Sequence, residues 1–149
     1  MNAQRSFDFA PEFKTRVLRD VAMMKHTSWH VGGPADLFFT PRDVSDLASF
    51  MRQLPPEVPL LMVGLGSNLL VRDGGFRGAV ICTHGALGAL ERLSATRIRA
   101  EAGVPCARIA RQCVKWGLGP AEFFAGIPGT LGGALAMNAG AWGQETGRT

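Results

Sequence analysis

The heptapeptide GLGSNLL, residues 64–70, lies between the apolar run PLLMV and the turn-forming RDGG. Two glycines, a hydroxyl and an amide within five residues can turn successive backbone N–H groups toward one point, an anion nest without a helix dipole. A tight strand-to-strand turn would use the same residues only for positive φ, and from this loop alone both readings stand. The dinucleotide fingerprint GxGxxG is not met. Gly64 and Gly66 fit it, but Leu69 takes the third glycine position, LLVRDGG is a poor helix start, and Glu91 is too distant to be the ribose-binding acid. The Walker type of phosphate loop needs GK[ST], which the chain lacks.

A second glycine-rich segment, IPGTLGGALAMNAGAWG at residues 127–143, contains five glycines and one amide side chain, Asn138. Pro128-Gly129 is a turn, and Thr130 can cap a short helix whose first amides point outward. Two such segments from two subdomains can grip a diphosphate and leave a flat apolar slot beside it. The other reading is close packing of a helix through Gly132, Gly133, Ala134 and Ala136. Of the 19 glycines in the chain, 17 lie from Gly64 onward without a fixed period. That places backbone geometry, not side-chain chemistry, at the centre of this half.

The elements that would position these segments follow from periodicity. Phe13, Val17, Val21 and Met24 share one face of a helix expected over residues 12–25. Gly32-Gly33-Pro34 breaks it, and ADLFFT, 35–40, reads as a strand. A helix over residues 43–54 follows, capped by Asp43 or Ser45 and ending before Pro55-Pro56. PLLMV, 59–63, is a buried strand, so 35–63 forms a βαβ unit with parallel strands. AVICTH, 79–84, is a further strand, and one or two more are expected around 90–101. VPCARIARQCVKWG places Cys106, Ile109, Ala110 and Cys113 on one helical face, with Gly117 as terminator. The expected division is an N-terminal extension or helix over 1–20, a first subdomain over 21–85 and a second over 86–149.

With 149 residues, 46% apolar and 19% charged, the chain has a globular composition. No apolar run approaches the ~20 residues of a spanning helix, so no membrane insertion is expected. The N-terminus carries no secretion-signal core, and a cytoplasmic location is expected. The net charge of +4 suits an anionic ligand, but the basic residues form no stripe with interleaved aromatics, which argues against nucleic acid. Cys82, Cys106 and Cys113 are expected as free thiols, the last two as core residues, and no Cys or His partner has metal spacing.

TSWHVGGPAD (27–36), GLGSNLLVRDGGFRGAVI (64–81), AGVP (102–105) and EFFAGIPGTLGGALAMNAGAWGQE (122–145) together closely resemble the N-terminal half of the UDP-N-acetylenolpyruvoylglucosamine reductases, FAD enzymes of peptidoglycan precursor synthesis. The resemblance implies an α+β, FAD-binding PCMH-type fold of the vanillyl-alcohol-oxidase kind. Two subdomains would hold the flavin between them, the second incomplete here and the substrate domain absent. It implies that Gly64, Gly66, Ser67, Asn68 and Leu69 contact the FAD pyrophosphate. Ile127, Pro128, Gly129, Thr130, Gly132, Gly133, Asn138, Ala139 and Gly140 would line the pyrophosphate and flavin.

FAD would be non-covalent, NADPH the co-substrate of the full-length enzyme and a UDP-sugar its substrate. The family's catalytic arginine, serine and glutamate sit in motifs that the 149 residues do not contain, so no catalytic residue is carried over. The chain alone is expected to be inactive, to retain FAD weakly and to be prone to self-association. Another oxidase or dehydrogenase of the same superfamily and a non-catalytic nucleotide-binding module are the alternative functions.

His30 and His84 lack the context in which histidines of this fold tether flavin covalently. Trp142 stands where the reductases usually carry tyrosine; lining the flavin pocket and packing in the core are both open to it. Arg72, Asp73 and Arg77 flank the DGG turn and are expected to be solvated or paired with each other.

Overall fold

A computed structural model describes residues 8–148. The first seven residues of the expected N-terminal extension, and Thr149, lie outside the described residues. The architecture is mixed α+β. A short helix α1 (Pro11–Lys14) leads into strand β1 (Leu18–Ala22) and a 3-10 turn at Met23–His26. Strand β2 (Pro34–Phe39), helix α2 (Val44–Gln53), strand β3 (Leu60–Val63) and strand β4 (Phe76–Cys82) follow. These strands form one sheet in the order β1-β2-β4-β3.

The helix expected over 12–25 is therefore not formed. Phe13 and Val17 are buried as expected, but residues 18–22 pair antiparallel with β2, Leu18 opposite Phe38 and Val21 opposite Ala35. An edge of β2 open to a partner outweighs a weak four-residue periodicity. The βαβ unit is present with one change. β2 and β3 run the same way, but β4 lies between them and is parallel to both.

The β2–β4 register shifts between Ala35 and Leu37, where three steps of β4, from Phe76 to Ala79, oppose two of β2, so the extra residue lies in β4. Leu37 and Phe39 face α2, where Phe9, Phe13, Phe50, Ala79 and Ile81 complete one core. Ala35 and Phe38 join Met23, Val63, Val71 and Val80 in another. Asp43 caps α2 by accepting from the Asp46 N–H at 2.8 Å, as its position before the apolar face indicates.

Above this sheet edge, Asp46 receives a forked pair from Arg16, whose Nη1 donates to Oδ1 at 2.9 Å, and the Arg42 N–H at 2.7 Å. The Arg16 hydrogen bond holds the Asp46 carboxyl down at about 2, against the opposing effect of burial, with the Arg42 N–H helping. A carboxyl lowered in the folded state stabilises the fold fully above its ordinary value near 4, and that contribution fades as pH falls toward 2. Asp46→Asn is expected to cost about 1–2 kcal/mol at neutral pH and to flatten the stability profile between pH 4 and 2. Urea unfolding across that range checks it; an unchanged slope would refute the assignment.

The rest of the chain builds a third core. Strands β5 (Leu90–Arg92) and β6 (Ile98–Ala100) form a two-stranded antiparallel sheet. Helix α3 (Cys106–Trp116) buries Cys106, Ile109, Ala110 and Cys113, the face expected from the sequence, and ends at Gly117 in the left-handed conformation, φ 67°. Helix α4 (Leu131–Met137) and a small hairpin of β7 (Gly140–Ala141) and β8 (Gln144–Glu145) follow. Phe123, Phe124, Ile127 and Ala134 fill the space against α3.

Candidate functional site

Residues 64–69 leave the carboxyl end of β3, the side on which parallel sheets open crevices for ligands. The loop is fixed from below. The Ser28 N–H donates to the Gly66 carbonyl at 3.1 Å, and Gly66 holds φ 65° directly over the His26 carbonyl oxygen, where a Cβ would collide. The His26 ring lies tilted against the Phe38 ring, centroids 4.3 Å apart, and burial, with Lys25 adding to it, pushes its pKa below the ordinary value. Among the described residues, the N–H groups of Gly66, Ser67 and Asn68 meet no protein acceptor.

The second segment reaches the same place from the α3 side. The Cys106 N–H donates to the Gly129 carbonyl at 2.9 Å, and the Leu131 and Gly132 N–H groups donate to the carbonyls of Val104 and Ala102, both at 2.8 Å. The helix that Thr130 was expected to cap thus begins at Leu131, but its first two amides are engaged within the protein and do not point outward. The Gly133 N–H has no protein acceptor among the described residues. Nor does the Thr130 hydroxyl cap the helix. Its Oγ1 is buried without a hydrogen-bond partner and presses on Gly64, where a Cβ would collide with it. A Cβ at Gly129 would stand 3.1 Å from Ser67 Oγ. Close approach of the two segments, each glycine to a side chain of the other, is what glycine permits at these positions.

Between the segments lies a cleft of about 480 Å3, within the usual range for a small-molecule site. Gly64, Gly66, Ser67, Asn68, Leu69, Ile127, Pro128, Gly129, Thr130, Gly133, Ala139 and Gly140 all line it. Gly132 and Asn138 do not. Gly132 packs on Ala102, the close-packing role weighed for this run, and a Cβ there would stand 2.9 Å from the Ala102 Cβ. Asn138 terminates α4 at φ 45°; its Nδ2 donates to Glu145 at 3.2 Å and its Oδ1 accepts from the Gly147 N–H at 3.0 Å. Its amide clamps the hairpin and is turned from the cleft.

The sequence reading missed Leu61, Met62, Val63, Leu65, Gly126, Ala134, Ala136 and Met137 as lining residues. The apolar run of β3 reads from sequence as wholly buried, although Met62 is half exposed. Arg77 pairs with Asp36 at 2.9 Å, not with Asp73. Trp142 is neither in a core nor among the lining residues, and is 74% exposed. Burial pushes the Cys106 thiol up to about 11, which suits a packing residue and not a nucleophile.

Among the described residues no charged side chain lines the cleft. An anion there would be held by amide dipoles and a hydroxyl, and the apolar walls suit a flat ring. A cradle closed to any side chain at Gly64, together with the partnerless Thr130 hydroxyl, fits a dinucleotide diphosphate. Of the described helices, none is long and apolar enough to cross a membrane.

The family of FAD binding domains matches residues 35–148. The UDP-N-acetylenolpyruvoylglucosamine reductase of Alkalilimnicola ehrlichii is 59% identical over 124 residues, covering 83% of this chain and 41% of that protein. The enzyme of the same name from Coxiella burnetii is 49% identical over 149 residues, covering 87% and 47%. In fold, the chain is similar to the crystal structure of UDP-N-acetylenolpyruvylglucosamine reductase (MurB) from Thermus caldophilus, with a TM-score of 0.67, 31% identity, and 88% of this chain and 45% of that one covered. The chain therefore spans less than half the length of these relatives.

Proposed function

The chain belongs to the family of FAD binding domains, and on that premise we propose that the cleft holds the FAD diphosphate on the backbone amides of Gly66, Ser67, Asn68 and Gly133. The Thr130 hydroxyl donates to the same group. Ile127, Ala134, Met137 and Ala139 form the apolar wall that shields the ring system from water. The observation that carries this reading is the buried Thr130 Oγ1, which has no partner within the protein and borders the cleft beside Gly64. An isolated buried hydroxyl is costly, and an anionic ligand satisfies it.

The proposal extends to the longer protein of which this chain would be part. Its activity would be that of the named relatives, NADPH-dependent reduction of UDP-N-acetylglucosamine enolpyruvate during cytoplasmic cell-wall precursor synthesis. Bound FAD supplies the hydride acceptor and donor. This chain's residues bind it, orient it and exclude water, and none of the cleft's side chains is an acid or base that could hold a proton for the chemical step.

Titration of the purified chain with FAD tests the reading. One equivalent is expected to bind, with an affinity that changes less than about threefold between low and moderate salt, because no ion pair is involved. The loaded chain, given NADPH and the enolpyruvyl substrate, is expected to show no turnover. A chain that takes up no FAD, or whose affinity collapses with salt, would overturn the proposed mode of binding.

A further inference from the structure

Trp142 sits where a bulky residue is least at ease. β7 and β8 are joined by a two-residue loop, with Ala141 opposite Gln144. Both loop residues have positive φ, 50° at Trp142 and 81° at Gly143. That is the requirement of a type I′ hairpin, whose first position favours Asn, Asp or Gly. Tryptophan there stores backbone strain, and its side chain is 74% exposed. Neither cost is recovered in a core. The indole is nevertheless directed: a Cβ at Gly126 would stand 3.0 Å from its Cη2 and 3.2 Å from its Cζ2. Gly126, which the ring edge approaches, lines the cleft.

We propose that Trp142 is an aromatic flap at the rim of the cleft beside Gly126, stacking on the flavin ring of bound FAD. This rests on the reading of the cleft as the FAD site. The strained hairpin tip leaves the indole largely exposed, and a planar heteroaromatic ring beside Gly126 offers the face it lacks. The absence of a side chain at Gly126 is what lets the edge of the indole come this close to the rim.

FAD and ADP affinities of the native chain and of Trp142→Ala, Trp142→Phe and Trp142→Gly test this. Loss of the indole in Trp142→Ala is expected to weaken FAD about tenfold and to leave ADP, which has no flavin, within about twofold. Trp142→Phe is expected to recover most of the FAD affinity. Trp142→Gly relieves the positive φ, so its melting temperature without ligand should equal or exceed the native one while its FAD affinity matches that of Trp142→Ala. Those two results together exclude simple unfolding as the cause. Equal FAD affinity in all four proteins, or equal losses for FAD and ADP, would overturn the flap while leaving the FAD site standing. A native chain that binds no FAD would overturn both.

Discussion

Gly66→Ala is expected to destabilise the chain by about 3 kcal/mol or more and to reduce FAD affinity at least a hundredfold. Two effects add at this position. At φ 65° a side chain costs about 1 kcal/mol against glycine. The new Cβ would also run into the His26 carbonyl oxygen, a backbone atom that cannot rotate away. Relief requires the 64–69 loop to rise, breaking the Ser28–Gly66 hydrogen bond and dragging His26 from Phe38. The amides of Gly66, Ser67 and Asn68 would then no longer converge. Gly74→Ala is the control: nothing lies within 4 Å of its Cβ position and its φ is ordinary, so it should be neutral or mildly stabilising through the unfolded state. Urea unfolding and FAD titration of both variants read the outcome. A native midpoint and native affinity for Gly66→Ala would show that the loop does not depend on this close approach.

Thr130→Val is expected to move stability and binding in opposite directions. Valine keeps the shape of threonine and removes a buried hydroxyl that has no partner. Without ligand the variant should therefore gain about 1 kcal/mol, the smaller part of what an unsatisfied buried group costs. FAD should bind about 10–100-fold more weakly, the value of a hydrogen bond to a charged group. Calorimetric melting of the ligand-free chain and FAD titration give the two signs independently. A variant that loses stability and keeps its affinity would refute the role assigned to Oγ1.

Much of the frame was legible because local rules suffice for it. The Asp43 cap, the Cys106–Ile109–Ala110–Cys113 face and the Gly117 terminator depend on neighbours within a few residues, and α2 and α3 appear where those signals place them. The segment after Phe13 was not legible. Val17 and Val21 fit a helix face by spacing, but the free edge of β2 takes residues 18–22 as a strand. The insertion of β4 between β2 and β3 leaves no local trace either, since strand neighbours are chosen across tens of residues. The site divides along the same line. Motif spacing brought both glycine segments into view, but not which glycine does what. Gly133 borders the cleft and Gly132 abuts Ala102, a distinction set by where Ala102 and Val104 present their carbonyls. Asn138 shows the same limit, because its partners are Glu145 in β8 and Gly147 in the 3-10 turn after it, contacts that motif spacing does not specify.

The strand order has a consequence for biosynthesis. Among the described residues β3 is an edge strand whose sole neighbour is β4, so as the polypeptide emerges from the ribosome the 64–69 bend can lean on Ser28 and His26 but lacks its sheet support until residue 82 is out. Its counterpart around Thr130 is translated some fifty residues later. The pouch therefore cannot close until both segments have been synthesised.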